Sequence, residues 1–207
     1  MSQPGTDNAA GEDMQWVLAS NNAHKVEEIG RILAPQGISL RQLREFPDVE
    51  DPPETGSTFE ANALQKARFV FQATGLPCIA DDSGLEVDAL DGAPGVHSKR
   101  YTPQATAEAN NAKLLGALDG VSERSARFVC ALAVVTSTGE EVWRGTCEGR
   151  IATAPAGTNG FGYDPLFLPK EIPGKCMAEL APGDKDRIGH RGHALEHLPA
   201  VLNRLKA

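Results

Sequence analysis

Asp81 and Asp82 stand side by side after a short apolar run, Cys78-Ile79-Ala80, and before a hydroxyl and a glycine, Ser83-Gly84. Adjacent carboxylates suit a hard divalent cation such as Mg2+, which takes one or two protein carboxylates and fills its other positions with water or substrate phosphate. The apolar run reads as a buried strand. Ser83-Gly84 reads as a tight turn at its end, returning into the alternation Leu85, Val87, Leu90. A strand end is a common place for chemistry in α/β proteins, because rigid backbone holds side chains that the turn exposes. The same residues also fit a plain surface turn, so their meaning depends on what accompanies them.

Cations come from three separated regions: Lys25, Lys66, and the Lys185 to Arg191 segment with His190. Ser20-Asn21-Asn22-Ala23-His24-Lys25 lies between an apolar strand, Gln15 to Ala19, and a helix with Val26, Ile29, Ile32 and Leu33 on one face. That order puts the loop's N–H groups and Lys25 at a helix N-terminus, which attracts anions. The loop lacks the glycine spacing of a Walker A motif, and a capped helix start with a solvated lysine remains the alternative. Lys66 falls on another helix, where solvation is the default. Glu54 joins Asp81 and Asp82 as an acid able to hold metal. The loop Gly157 to Pro165 sets Phe161 and Tyr163 among glycines; aromatic rings stack on bases, and glycine lets backbone approach closely. A plain connector is its other reading. Metal-binding acids, phosphate-binding lysines and a ring platform together point to a nucleoside polyphosphate.

The elements that must position these groups alternate between strand and helix. Ile38, Leu40 and Leu43 mark a second strand. Ser57-Thr58-Phe59-Glu60 has capping-box spacing and opens a helix that runs to Gly75. Beyond the acidic turn and the loop Asp91 to Gly95, Thr102-Pro103 predicts a helix start, with the helix reaching about Leu118. Phe128 to Val135 and Glu141 to Ala154, joined at Thr138-Gly139, predict an antiparallel hairpin. Asp184 to Lys206 reads as helix, interrupted at Gly189 to Gly192 and at Pro199. No repeat or linker divides the chain, so residues 14–207 are expected to form one domain. Residues 1–13, polar and acidic, are expected to be a disordered extension.

At 207 residues the chain is long enough for a substantial core. Its 41% hydrophobic and 23% charged content is ordinary for a soluble globular protein. A net charge of −8 argues against a nucleic-acid partner, which needs a basic face, but not against binding one nucleotide. Cys78, Cys130, Cys147 and Cys176 form no CxxC pair and fit free thiols in a reducing, cytoplasmic compartment. No apolar run approaches the roughly 18 residues of a membrane span, and the N-terminus lacks a signal peptide's apolar region.

Assembled in order, these segments resemble the inosine triphosphate pyrophosphatase family, also called dITP/XTP pyrophosphatases. The similarity runs from about Gln15 to Leu205. It is carried by Ser20-x-Asn22-x-x-Lys25, Glu54-Thr55-Gly56-x-Thr58-Phe59-x-x-Asn62-Ala63, Ala80-Asp81-Asp82-Ser83-Gly84-Leu85, Gly92-Ala93-Pro94-Gly95, Phe161-Gly162-Tyr163-Asp164-Pro165 and His190-Arg191-Gly192. His24 stands where many members have glycine. His97 and Gly189 replace a tyrosine and a serine common there.

The resemblance implies an α/β fold: a long central mixed sheet flanked by helices, in two lobes with a cleft between them, usually as a homodimer. It implies Mg2+-dependent hydrolysis of inosine, deoxyinosine or xanthosine triphosphate to the monophosphate and pyrophosphate. By the same resemblance Asp82 is general base and metal ligand, with Glu54 the candidate second ligand and Glu50 and Asp51 its alternatives, and Ser83 a substrate contact. Ser20, Asn21, Asn22, Ala23, His24, Lys25 and Lys66 correspond to the phosphate cradle. Phe161, Gly162, Tyr163, Asp164, Lys185, His190 and Arg191 correspond to the nucleoside site. A non-catalytic purine nucleotide sensor is the competing expectation; it would not need the paired acids.

Overall fold

A computed structural model describes residues 15–205; the expected N-terminal extension and Lys206 lie outside the described residues. A six-stranded sheet has the order β2-β1-β3-β4-β5-β6. β1 (Trp16–Leu18) runs parallel to both β2 (Leu40–Gln42) and β3 (Cys78–Val87). β3, β4 (Ser125–Val135), β5 (Glu140–Ile151) and β6 (Phe167–Pro169) are antiparallel in succession. The sheet is therefore mixed, as expected, with the β4–β5 hairpin turning at Thr138-Gly139.

Helices cover both faces, and the period of two along β3 decides which residue meets which helix. Cys78 and Ala80 pack against α2 (Phe59–Thr74), with Phe59, Ala63, Ala67 and Val70 of that helix. Ile79 packs on the opposite side with Ile29 and Leu33 of α1 (Ala23–Leu33) and with α5 (His190–Leu195) and α6 (Leu198–Leu205). A third apolar cluster, around Leu85, Val87, Tyr163 and Phe167, gathers Leu114 of α3 (Ala107–Ala117). Each large side chain buried in this way contributes about 1.5–3 kcal/mol. That is enough for α2 to stay docked although its buried face also carries Asn62 and Lys66, one turn apart.

Three local expectations are corrected, and the interrupted C-terminal helix is as expected. β3 does not turn back at Ser83-Gly84; it continues in register with β4, Ser83 opposite Cys130 and Gly84 opposite Val129. The glycine serves close approach instead: a Cβ on Gly84 would come within 2.7 Å of the Gly95 carbonyl and closer still to Ser98 Oγ. The helix after Thr102-Pro103 starts later, at Ala107, capped by Thr106. Asn110 Oδ1 instead accepts both the Thr102 backbone N–H (2.9 Å) and its hydroxyl (2.8 Å), holding Thr102 in a turn. α2 is capped by Thr58, which accepts from Ala61 N, and not by Ser57. The C-terminal helical stretch divides into α4 (Pro182–Ile188), α5 and α6. It breaks at Gly189, where a Cβ would sit 2.6 Å from the Lys185 carbonyl. It breaks again at Glu196-His197, just before Pro199, which falls in the first turn of α6, where its missing N–H has no intrahelical partner to lose.

Among the described residues no helix is long and apolar enough to cross a membrane.

Candidate active site

Asp82 lies in the middle of β3, on the side that faces α2. Its Oδ2 accepts from Asn62 Nδ2 (2.9 Å) and its Oδ1 from the backbone N–H of Ser83 (3.0 Å). Lys66 Nζ is 3.7 Å from Oδ1 and donates to Glu54 Oε1 at 2.6 Å, so one ammonium sits between two carboxylates. Burial raises the Asp82 carboxyl above its ordinary value; Lys66, Lys25 and Asn62 offset that only in part, and Glu54 adds to it. Burial acts on Glu54 too, but there Lys66, with Lys25 and Arg100, outweighs it and the carboxyl is held low. Asn62 ties the two acids together structurally, since its Oδ1 also accepts the Gly56 N–H at 2.7 Å. That bond fixes the segment that carries Glu54.

Asp81 faces the other way. It is fully buried, with Lys25 Nζ at 2.9 Å and Arg191 Nη2 at 3.3 Å from its Oδ2. Burial alone would raise its pKa, but Lys25, Arg191 and Lys66 together hold it well below the usual carboxylate range. Its Oδ2 is matched by these cations, its Oδ1 is buried without a partner among the described residues, and the carboxylate does not line the cavity. The structure therefore makes Asp81 an anchor for Lys25 and Arg191 behind the site.

α1 begins where Asn22 Oδ1 accepts from the N–H groups of His24 (3.1 Å) and Lys25 (3.4 Å). One turn on, Glu28 shares the face of Lys25 and is buried. It accepts from Lys185 Nζ at 2.6 Å and pairs with Arg191 Nη1. Burial would raise Glu28, but Arg191 and Lys185 outweigh it and keep the carboxylate ionised. Lys185 also donates to Asp164 Oδ2 at 2.6 Å, and Arg191 Nη2 donates to Ser83 Oγ at 3.0 Å. A continuous chain of charges thus runs from Lys25 through Asp81, Arg191, Glu28 and Lys185 to Asp164.

The glycine-rich loop ends on that chain. Asp164 Oδ2 accepts the Phe161 N–H at 2.7 Å. Lys185 Nζ lies 4.7 Å from the centroid of the half-buried Phe161 ring. Tyr163 packs into the apolar core and donates its hydroxyl to the Ser98 carbonyl at 2.8 Å while still edging the cavity, so Phe161 is the less buried of the loop's two rings there. His190 is buried and stacks on Phe128, centroids 5.0 Å apart and 22° from parallel. Burial, then Arg191 and Lys185, lowers its pKa well below the ordinary value, so the imidazole is neutral. Among the described residues, His190 Nδ1 and Arg191 Nε have no hydrogen-bond partner.

Asp82, Glu54, Lys25, Lys66, Phe161, Asp164, Lys185, His190 and Arg191 line one cavity of about 500 Å³, while Asn62, Asp81 and Glu28 lie behind its lining. The expected site residues line it except Ala23 and His24, which lie beside it at the start of α1. Glu28 and the anchoring role of Asp81 were not anticipated. Glu28 has one signal in the sequence, its three-residue spacing from Lys25. Asn62 belonged to a quoted motif without a role. Lys99 and Arg100 also line the cavity, and Arg100 approaches Glu54 at 3.7 Å. The four cysteines are free and buried, and burial pushes the Cys130 and Cys147 thiols up to about 12, so these are core residues and not nucleophiles.

A mixed-sheet α/β protein with a cavity that has acids and lysines at one end and aromatic and basic groups at the other belongs to the class of small-ligand-binding α/β proteins. More narrowly, residues 16–201 match the Ham1 family, and the chain belongs to it. It is 51% identical over 187 residues to a dITP/XTP pyrophosphatase of Geobacillus kaustophilus, covering 88% of this chain and 91% of that one. A dITP/XTP pyrophosphatase of an Exiguobacterium species is 48% identical over 191 residues, covering 91% and 97%. Among solved structures, the Ham1 protein of Staphylococcus aureus superposes with a TM-score of 0.82 at 40% identity, covering 91% of this chain and 98% of that one. A nucleoside-triphosphatase, dITP/XTP pyrophosphatase, of Mycobacterium abscessus gives 0.73 at 46% identity, covering 89% and 97%.

Proposed function

We propose that this protein hydrolyses non-standard purine nucleoside triphosphates, those of inosine, deoxyinosine and xanthosine, to the monophosphate and pyrophosphate. The reaction would clear these nucleotides from the cytoplasmic pool. The observation that carries the reading is the continuity of the cavity: Asp82, Lys66 and Glu54 share it with Phe161, His190 and Arg191. Its size falls in the range of about 300–1,000 Å³ typical of small-ligand sites. The dITP/XTP pyrophosphatase relatives support the same chemistry.

The donor set fits Mg2+. Asp82 and Glu54 offer hard carboxylate oxygens on either side of one ammonium, and Asp82 is only partly neutralised by its neighbours. A carboxylate has about four acceptor sites, and Asp82 spends two on Asn62 and Ser83. Among the described residues no three His, Cys, Asp or Glu side chains cluster as a metal site. These two acids would hold the cation, and water or substrate oxygen would complete its shell. When bound, it offsets negative charge on the phosphate oxygens.

The protein's own part is orientation and proton transfer. Lys25 and Lys66 bind the phosphates, with the start of α1 beneath them. Asp82 accepts a proton from water; the water oxygen bonds to the α phosphorus, and the bond from that phosphorus to the α–β bridging oxygen breaks. Pyrophosphate leaves with the electron pair. A carboxyl raised by burial is a better base near neutral pH than an ordinary one. At the other end Phe161 stacks on the base. Arg191, Lys185 and neutral His190 contact its edge. Donors that meet a 6-oxo group reject adenine, whose amino group leaves each unpaired at about 1–3 kcal/mol. The family resemblance supports a homodimer as the working form.

Phosphorus NMR of the products from a panel of nucleoside triphosphates, with and without Mg2+, tests all of this. Pyrophosphate should appear first from inosine and xanthosine triphosphates, only with the cation, and far more slowly from ATP and GTP. Orthophosphate as first product would make the protein a phosphatase, and no turnover would leave a nucleotide sensor.

A further inference from the structure

His24 and Phe161 sit on different elements, 137 positions apart in the chain, yet their rings stack with centroids 5.0 Å apart and 13° from parallel. His24 is on the exposed first turn of α1, its backbone N–H held by Asn22 and its neighbour Lys25 held by Asp81. Phe161 stands between Gly160 (φ +74°) and Gly162 (φ +62°), a backbone that by itself allows the ring many directions. Only its N–H is fixed, by Asp164. The direction of the ring therefore depends on what lies against it, and Lys185 Nζ and the His24 imidazole are two such groups. Phe161 lines the cavity and His24 does not, so His24 backs the ring from outside.

We propose that His24 is a positioning residue for nucleobase binding: it backs Phe161 and ties the loop that carries Lys25 to the ring on which the base stacks. The inference rests on the functional reading above for the identity of the ligand. A ring held in place before binding loses less conformational freedom when a base stacks on it. The contact also gives the phosphate loop and the base loop a common fixed point. His24 touches neither ligand nor reacting atoms, and acts through Phe161.

The test is the dissociation constant of inosine triphosphate and of inorganic tripolyphosphate, measured by calorimetry without divalent cation. Binding is then read whether or not hydrolysis follows, so a failure of turnover strikes the functional reading and not this one. An aromatic stack of this kind corresponds to about a 2–10-fold effect. His24→Ala should weaken inosine triphosphate by about that factor and leave tripolyphosphate, which has no base, unchanged. His24→Phe should restore binding, since a flat ring is what the position needs. On a Phe161→Ala background, His24→Ala should cost nothing further. Equal weakening of both ligands would assign His24 to the phosphate loop alone and overturn the proposal. So would full inosine triphosphate affinity in His24→Ala, or no recovery in His24→Phe.

Discussion

Asp81 and Asp82 are neighbours on β3, face opposite sides of the sheet, and are driven in opposite directions. Asp81 lies between Lys25 and Arg191 and is held well below the usual carboxylate range; Asp82 is raised by burial that its neighbours only partly offset. Strand alternation makes this division, since adjacent side chains must point apart. One acid is thereby spent on holding cations, and the other is left reactive over the cavity.

The first prediction follows from the raised carboxyl. Asp82→Asn keeps the shape and removes the base, so kcat should fall about 10²–10⁴-fold. The same change should raise the melting temperature. A carboxyl raised in the folded state disfavours its ionised form there, so the charge costs stability at neutral pH. That cost is relieved as pH falls through the raised value, and the stability difference between variant and wild type should shrink with it. Activity assays with melting curves from neutral to acid pH check both. Wild-type turnover, or a lower melting temperature at neutral pH, would contradict this assignment of Asp82.

Asp81 should behave in the opposite sense. Its carboxyl is depressed on folding, so it contributes stability above its ordinary value of 3.8 that is lost as pH falls below it. Asp81→Asn leaves Lys25 and Arg191 without their shared anion, and breaking a buried pair from one side costs about 3–5 kcal/mol. Urea unfolding at neutral pH should show that loss. Below the ordinary carboxylate range the variant's stability should fall less steeply than that of wild type.

The contrast between these acids also marks what was legible in the sequence. The Asp-Asp pair, the lysines and the glycine–aromatic loop could be picked out as types, and α1, α2 and the β4–β5 hairpin followed from periodicity. The pairing was not legible, because it depends on which face each side chain takes. Ser83-Gly84 read as a turn because those residues commonly make turns. The approach of Ser98 and Gly95 that actually requires the glycine lies more than ten residues away. Glu28 was hidden for the same reason: its partners Lys185 and Arg191 are 157 and 163 positions distant.

The lysines should separate by ligand. If Lys25 and Lys66 contact the β and γ phosphates, Lys25→Ala and Lys66→Ala should each weaken inosine triphosphate more than inosine monophosphate, by about tenfold or more. Lys66→Ala also leaves Glu54 and Asp82 facing each other without their shared ammonium, so it should shift the pH dependence of kcat toward higher pH. Lys25→Ala leaves Lys66 in place between those acids and should shift that profile less. Titrations with both nucleotides and a pH–rate profile decide this. Equal losses for triphosphate and monophosphate would confine the lysines to the α phosphate or to structure.

Base selection should depend on Glu28 as much as on Arg191. The carboxylate of Glu28 accepts from Lys185 and Arg191 together, and Asp81 and Ser83 accept from the guanidinium's Nη2. This bracing fixes the direction of the donors, and a donor aimed at a 6-oxo group discriminates only while it cannot swing to another acceptor. Glu28→Gln keeps the volume but removes the charge that organises both cations. Arg191→Lys keeps the charge but cannot span Glu28 on one side and Asp81 with Ser83 on the other. Both variants should therefore lose more kcat/KM on inosine triphosphate than on ATP, narrowing the ratio by about tenfold, the worth of one buried donor at 1–3 kcal/mol. Steady-state kinetics on the two nucleotides measures that ratio directly. A parallel loss on both nucleotides would make the pair structural. An unchanged ratio in both variants would move base selection to the backbone of the loop from Gly157 to Gly162.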